Sequence, residues 1–200
     1  MTCPGKQLTD AGFRGSLAWL HDQEAHAGHP YWPGTALSGV TLDPGVDLGQ
    51  VKADFVVDLY DAILTDAELD AVLACVRTRP RGEEAERYLE DHPELSSLRI
   101  TREQASVVLT RSTPPYWRTI SRRFPGLLSA PAIVQEVMLS LAYNRGGRNR
   151  HLEVCRGPIE ARDWRALGRV IGRMQRGAAN GVRNRRLAES RRLLEAFPMT

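Results

Sequence analysis

The chain has no apolar run of about 20 residues, the length that a membrane-spanning helix needs, so a hydrophobic span is excluded. The N-terminal segment MTCPGKQLTDAG has no apolar stretch of the kind that a secretory signal requires. We therefore expect synthesis in the cytoplasm and release or delivery by other means. The only cysteines, Cys3, Cys75 and Cys155, lie far apart and form no Cys-x-x-Cys motif, which predicts idle thiols rather than a disulfide framework or a metal site. Internal repeats and low-complexity tracts are also absent from the 200 residues.

Basic residues are scarce in the first half of the chain, and acidic residues are scarce in the second. Residues 1–100 contain 17 acids and 8 Lys or Arg, a net charge of −9. Residues 101–200 contain 19 Arg and 7 acids, a net charge of +12. A half with this excess attracts polyanions such as nucleic acid, an anionic lipid surface or an anionic cell-wall polymer. The alternative is that the arginines only form the solvent-exposed surface of helices.

Apolar residues at intervals of three and four predict that most of the chain is helical. The predicted helices cover residues 15–28, 65–77, 82–95, 129–147, 161–175 and 181–197, and the chain is also expected to turn helical within residues 48–64. Capping-box patterns also mark helix starts at Thr65 and Thr101, and the prolines at 114 and 115 predict a break or kink.

One stretch, SGVTLDPGVDLG at residues 38–49, differs from the helical remainder. The alternation around residues 40–42 and the Pro-Gly turn at 44–45 predict a short β-hairpin. The expected fold class is therefore α+β, predominantly helical, as one compact domain with a small β element near its N-terminus.

This hairpin and the helix before it carry a set of groups that could hydrolyse a glycosidic bond. Such a reaction needs an acid that protonates the leaving oxygen and a second polar group that handles water. Glu24 lies near the end of an apolar helix, where a partly buried carboxyl suits a general acid. Thr41, Asp43 and Asp47 lie on the hairpin and could hold a water opposite it. The alternatives are a surface carboxylate at Glu24 and turn-capping roles for the aspartates.

The array E24-x16-T41-x5-D47 closely resembles the catalytic segment of phage-type lysozymes, which are muramidases, and in particular their pesticin-like branch. Three later segments support the resemblance. ITREQASVVLT (100–110) is similar to the family's Thr-x-x-x-Ala helix start, and SLAYNRGG (140–147) resembles the end of its core helix. NGVRNRRLAESRRLLE (180–195) is similar to its terminal signature, with Val182 in place of Leu. The resemblance spans roughly residues 15–195.

The resemblance implies a single lysozyme-like catalytic domain over 1–200, with an N-terminal lobe at about 15–100 and a helical C-terminal lobe at about 101–197. It implies cleavage of the β-1,4 bond between N-acetylmuramic acid and N-acetylglucosamine in peptidoglycan. Glu24 would be the general acid, Thr41 would position water, and Asp47 would be the base or electrostatic partner. Inversion at the anomeric carbon, a monomeric state and the absence of a cofactor are expected.

The position of the second carboxylate departs from the common pattern of the family. Common phage-type lysozymes have an aspartate between the Glu and the Thr, but residues 25–40 contain no acid. The familiar G-x-G-H after the Thr is replaced by PGVD, so that Asp47 stands where a His would be. The second carboxylate must then come from the hairpin, as in the pesticin-like pattern. Asp47 is the first choice, and Asp43 is its competitor.

The resemblance also implies residues that contact substrate. Leu48 and Tyr143 align with groups that line the family's saccharide cleft, and Asn144 could assist them. Tyr143 could equally be a core residue. Arg185 could form an ion pair with Glu24, or could belong to a solvated Arg-rich helix. The expected partners are a peptidoglycan strand and, for a secreted antibacterial effector, an immunity protein and a delivery machine. A phage endolysin would instead need a release mechanism. Either would act on the cell wall.

Three rival interpretations remain open. His21, Glu24, His26 and His29 could suggest zinc, but His26 lies on another helix face and no His-Glu-x-x-His motif is present. The basic half could bind nucleic acid, although no DNA-binding motif is found and we regard this as the less favoured partner. A lysozyme-like scaffold could also bind wall polymer without catalysis.

Overall fold

The computed structural model describes residues 4–24, 26–175 and 180–199 of the chain. These residues form two compact units. One unit combines Met1–Gln23 with Thr113–Thr200, and the other is Glu24–Ser112. The predicted α+β class with predominant helix is confirmed, because the described residues contain helices and one small sheet. No helix among the described residues is long and apolar enough to cross a membrane.

The secondary-structure elements run along the chain in this order: α1 (Pro4–Asp10), α2 (Ala18–Gln23), β1 (Thr41–Leu42), β2 (Val46–Asp47), α3 (Ala53–Tyr60), α4 (Asp66–Thr78), α5 (Glu83–Asp91), α6 (Pro93–Ser96), α7 (Arg102–Ser112), α8 (Pro114–Arg123), α9 (Ala132–Arg145), α10 (Arg156–Glu160), α11 (Trp164–Arg173) and α12 (Asn180–Ala196). Two 3-10 helices cover Pro125–Ser129 and Arg150–Cys155.

The helix predicted over 15–28 is shorter in the structure, where α2 covers only Ala18–Gln23. Two hydrogen bonds explain why the helix does not continue. The backbone N–H groups of Ala27 and Gly28 donate to the Asp43 carboxylate instead of to helix carbonyls. Glu24 therefore follows the helix rather than lying within it.

Both predicted capping boxes are confirmed. The Thr65 hydroxyl accepts from the Glu68 N–H, and the Glu68 carboxylate accepts from the Thr65 N–H at the start of α4. Thr101 and Gln104 exchange the same pair of bonds before α7. At residues 114 and 115 the prolines begin α8 directly after α7 ends, since proline lacks the N–H that a helix interior needs but fits its first turn.

The predicted hairpin is confirmed within the Glu24–Ser112 unit. Strands β1 and β2 pair antiparallel with Thr41 opposite Asp47 and Leu42 opposite Val46. Because strand side chains alternate, one face of the hairpin carries Thr41 and Asp47. The other face carries apolar side chains that are buried in this unit's hydrophobic core with residues of α3, α4 and α7: Val40, Leu42, Val46 and Leu48.

The other unit is built around α9, whose residues from Val134 to Ala142 are all buried. Its N-terminal segment joins this core through Phe13, which packs edge-on against Trp117 with ring centroids 5.1 Å apart. The Trp117 indole N–H also donates to the Ala11 carbonyl. These contacts attach the N-terminal segment to α8 of the same unit.

Candidate active site

Glu24 is the first residue of its unit and lies beside the turn of the hairpin. Its Oε2 atom is 3.7 Å from the position that a Cβ on Gly45 would occupy. The other oxygen, Oε1, is buried, although the residue as a whole is only half-buried. The carboxyl group thus faces the Pro-Gly turn with one oxygen protected from solvent.

Thr41 and Asp47 lie next to each other on the polar face of the hairpin. They are direct cross-strand partners, and such side chains stand about 5 Å apart on one face of a ladder. Thr41 is buried, and its hydroxyl donates to the Gly39 carbonyl at 3.4 Å. A bridge to Tyr31 fixes the far side of β1, with reciprocal backbone bonds of 2.7 and 3.0 Å between Thr41 and Tyr31.

The Asp47 carboxylate is held by groups that flank the two strands at the open end of the hairpin. Its Oδ1 atom accepts from the Gly49 N–H at 2.9 Å and from the Gly39 N–H at 3.1 Å. Its Oδ2 atom accepts from the Gln50 amide at 2.6 Å. The residue remains only partly buried, so the carboxylate is fixed in place and still reachable by water.

The Asp43 carboxylate has a different environment. It is fully buried, accepts from the Gly28 N–H at 2.6 Å and the Ala27 N–H at 3.2 Å, and lies 2.9 Å from the His26 Nδ1 atom. These contacts tie the segment after Glu24 to the hairpin. A carboxylate so enclosed has a structural role in ordering this loop.

Tyr31 belongs to the same polar cluster and was missed by sequence reasoning. Burial raises the pKa of its phenol, and the nearby negative charges of Asp43 and Glu24 raise it further. The hydroxyl therefore stays protonated and available as a donor near two carboxylates. The signal in the sequence, an aromatic residue in HPYWPG, is too common in turn-rich segments to have identified it.

Leu48 is fully buried, with none of its surface accessible to solvent. It packs in the core of the Glu24–Ser112 unit together with the apolar face of the hairpin. Its role in the structure is packing, and its contact with a saccharide stays a prediction.

The three remaining predicted residues lie in the other unit: Tyr143, Asn144 and Arg185. Tyr143 on α9 is half-buried and packs against Tyr116, with ring centroids 5.0 Å apart. Asn144 is exposed, and its side-chain oxygen accepts from Arg186 at 3.2 Å. Their contacts with substrate stay predictions.

Arg185 is a member of a buried ionic cluster on α9 and α12. Its guanidinium donates to the Ser140 hydroxyl and lies 3.5 Å from the Glu189 carboxylate. Glu189 is fully buried, accepts from Ser140 at 2.7 Å and from Arg186 at 2.8 Å, and has its pKa raised by burial. Burial also lowers the pKa of Arg186 to about 10. The ion pair expected between Arg185 and Glu24 stays a prediction.

The histidines near Glu24 do not assemble a metal site in the part of the chain that the structure describes. No group of three or more His, Cys, Asp or Glu side chains there is arranged to hold an ion. Cys75 and Cys155 are free and buried, while Cys3 lies outside the described residues.

Comparisons with known proteins assign no family to the chain. No family model matches it, and no curated protein matches it either. The chemistry of the site is therefore inferred from its own residues.

Proposed function

We propose that the protein is a lysozyme-like hydrolase of peptidoglycan that cleaves the β-1,4 bond between N-acetylmuramic acid and N-acetylglucosamine. The observation that carries the proposal is the position of the Glu24 carboxyl beside a hairpin whose polar face bears Thr41 and Asp47. An acid opposite a hydroxyl and a second carboxylate is the set of groups that glycoside hydrolysis needs. The resemblance of these three residues to the phage-type lysozyme array supports the same activity.

In the proposed reaction, Glu24 gives its proton to the glycosidic oxygen as the bond to the anomeric carbon breaks. A water held by the Thr41 hydroxyl attacks that carbon from the opposite face, and Asp47 takes the proton that the water loses. The attack by water, without a covalent intermediate, gives inversion at the anomeric carbon. Tyr31 belongs to the same polar cluster, and burial together with the negative charges of Asp43 and Glu24 raises the pKa of its phenol.

The surroundings of the two hairpin aspartates support Asp47 as the second carboxylate. Both carboxylates accept from two backbone N–H groups and contact one side chain, so the difference between them is burial. Asp47 is partly exposed and can reach a water, whereas Asp43 is fully buried. The assignment to Asp47 therefore needs no rearrangement of the loop after Glu24.

The two-lobed lysozyme-like fold is part of the same proposal. The division of the chain into two compact units, with the hairpin in one and the long core helix α9 in the other, supports it. As a cell-wall hydrolase the protein would act after release, as an endolysin, or after delivery as an antibacterial effector with an immunity protein as partner.

The test is lysis of purified peptidoglycan by Glu24→Gln. We expect activity to be abolished while the free energy of unfolding stays within about 1 kcal/mol of the parent, since the change keeps the shape of the side chain. Glu90→Gln, an exposed change on α5, is the matched control and should lyse normally. Wild-type activity in Glu24→Gln would overturn the mechanism.

Thr41→Ala and Asp47→Asn test the water-handling half of the site. Each should lower the rate by at least about 10²-fold, the low end for general acid–base catalysis. Because Asp47 also accepts from backbone groups, its variant must be compared at a temperature where circular dichroism shows it folded. Normal rates in both folded variants would show that Thr41 and Asp47 take no part in the reaction.

One observation favours a second candidate function, the binding of an anionic wall polymer or nucleic acid without catalysis. A cavity of about 560 Å³ in the other unit is lined by Arg145, His151 and Arg173, with apolar Val154 and Val170. No carboxylate occurs among the described residues that line it. Salt-sensitive binding of polyanions, with no lysis of purified walls by the wild-type protein, would favour this alternative.

A further inference from the structure

A groove of about 440 Å³ lies in the same unit as the hairpin and is lined by Trp32, Gly34, Ala36, Arg87 and residues 81–84. Its volume falls within the range of roughly 300–1,000 Å³ that small-molecule sites occupy. We propose that this Trp32 groove binds a pyranose ring of the glycan and is a saccharide subsite next to the hairpin. The inference rests on the proposed function for the identity of the sugar.

Two residues of the groove lining are bonded to the backbone at the open end of the hairpin, away from the Pro-Gly turn. Arg81 forms an antiparallel bridge with Gly39, and its guanidinium donates to the Gly49 carbonyl at 2.9 Å. Gly82 donates its N–H to the Ser38 carbonyl at 2.9 Å. Gly39 and Gly49 are also the residues whose N–H groups hold the Asp47 carboxylate. A sugar in the groove would thus lie next to the backbone that fixes Asp47.

The aromatic wall of the groove has the form that a sugar ring requires. The indole N–H of Trp32 donates to the Thr35 carbonyl at 3.1 Å, which fixes the plane of the ring. A Cβ added at Gly34 would meet no atom within 4 Å, so the space around this turn is open. The C–H face of a pyranose can stack on such a half-buried indole, as apolar surfaces do on aromatic side chains.

The charges of the groove favour a neutral polyhydroxyl ligand over an ion. Arg81 and Arg87 are balanced by Glu83 and Glu84, so the lining has no net charge. Within the described parts of the chain no ion pair uses Arg87 or either glutamate, and all three side chains are exposed. A sugar hydroxyl can both donate and accept hydrogen bonds. Sugar hydroxyls therefore match a lining that combines guanidinium donors with carboxylate acceptors.

The experiment measures binding of tetra-N-acetylchitotetraose by isothermal titration calorimetry, in a Glu24→Gln background so that the probe is not consumed. We expect measurable binding that Trp32→Ala weakens by about tenfold, the scale of losing a central aromatic contact. Trp32→Phe keeps an aromatic plane and should retain most of the affinity. Arg87→Ala should weaken binding several-fold, while Arg77→Ala, an exposed change on α4 outside the groove, should not.

The outcomes distinguish failure of the proposed saccharide subsite from failure of the proposed hydrolase activity. Equal affinity in Trp32→Ala and its parent, or no binding of the probe by the parent, would overturn the saccharide subsite. If wall lysis by the wild-type protein persists in that case, the proposed function stands without the groove. If binding depends on Trp32 but the wild-type protein releases no glycan fragments, the subsite is supported and the hydrolase is wrong.

Discussion

Asp43→Asn is expected to destabilise the protein because the Asp43 carboxylate caps the loop after Glu24. Its two oxygens accept from Gly28 and Ala27 at 2.6 and 3.2 Å in a fully buried setting, with His26 at 2.9 Å. Asparagine keeps one acceptor oxygen and places an NH₂ group against the other donor. An unsatisfied buried donor costs about 1–3 kcal/mol, and loss of the charge from the remaining bond costs about 1 kcal/mol more. We therefore expect a total loss of roughly 2–4 kcal/mol.

A loss of this size should lower the midpoint of thermal unfolding by roughly 4–16 °C in a chain of this length. Circular dichroism melts and urea titrations at pH 7 measure it. Asp70→Asn, an exposed change on α4, is the control and should stay within about 0.5 kcal/mol of the parent. Below its melting range, Asp43→Asn should still lyse walls. Unchanged stability together with lost lysis would refute the capping role and make Asp43 the second catalytic carboxylate.

Three further predictions concern packing and reactivity. Thr65→Ala removes one half of the α4 capping box and should cost about 1 kcal/mol in urea unfolding; no change would mean that the box contributes nothing in solution. Arg186→Ala leaves the Glu189 carboxylate buried without its 2.8 Å partner and should cost about 3–5 kcal/mol, much more than replacing both residues with leucine. Burial raises the pKa of the Cys75 and Cys155 thiols to about 12. In a variant that lacks Cys3, neither thiol should therefore react with a thiol reagent at pH 8 until the chain unfolds. Rapid reaction of the folded protein would contradict their burial.

Local features of the fold could be predicted from the sequence because neighbouring residues determine them. The capping boxes at Thr65 and Thr101 and the Pro-Gly hairpin are examples, since each depends on groups within a few positions. The early end of α2 was not predictable, because the N–H groups that leave the helix bind Asp43, fifteen or more residues further along. The attachment of the N-terminal segment to Trp117 is equally non-local.

In the candidate site, too, some features could be predicted from the sequence and others depended on contacts between distant residues. Glu24, Thr41 and Asp47 could be chosen from their spacing and the resemblance that it carries. Tyr31 could not, because its place in the cluster depends on a backbone bridge to Thr41 that no periodicity encodes. The different burial of Asp43 and Asp47 also required the structure, since both look like turn aspartates in the sequence.

The most direct test of the central claim is mass spectrometry of the products released from purified peptidoglycan. The proposed mechanism predicts fragments with N-acetylmuramic acid at the reducing end from the wild-type protein, and none from Glu24→Gln. Anhydro-muramic acid ends would indicate a lytic transglycosylase, and cleaved stem peptides would indicate an amidase or peptidase. Either of those products, or equal release by Glu24→Gln, would contradict a muramidase that uses Glu24 as its acid.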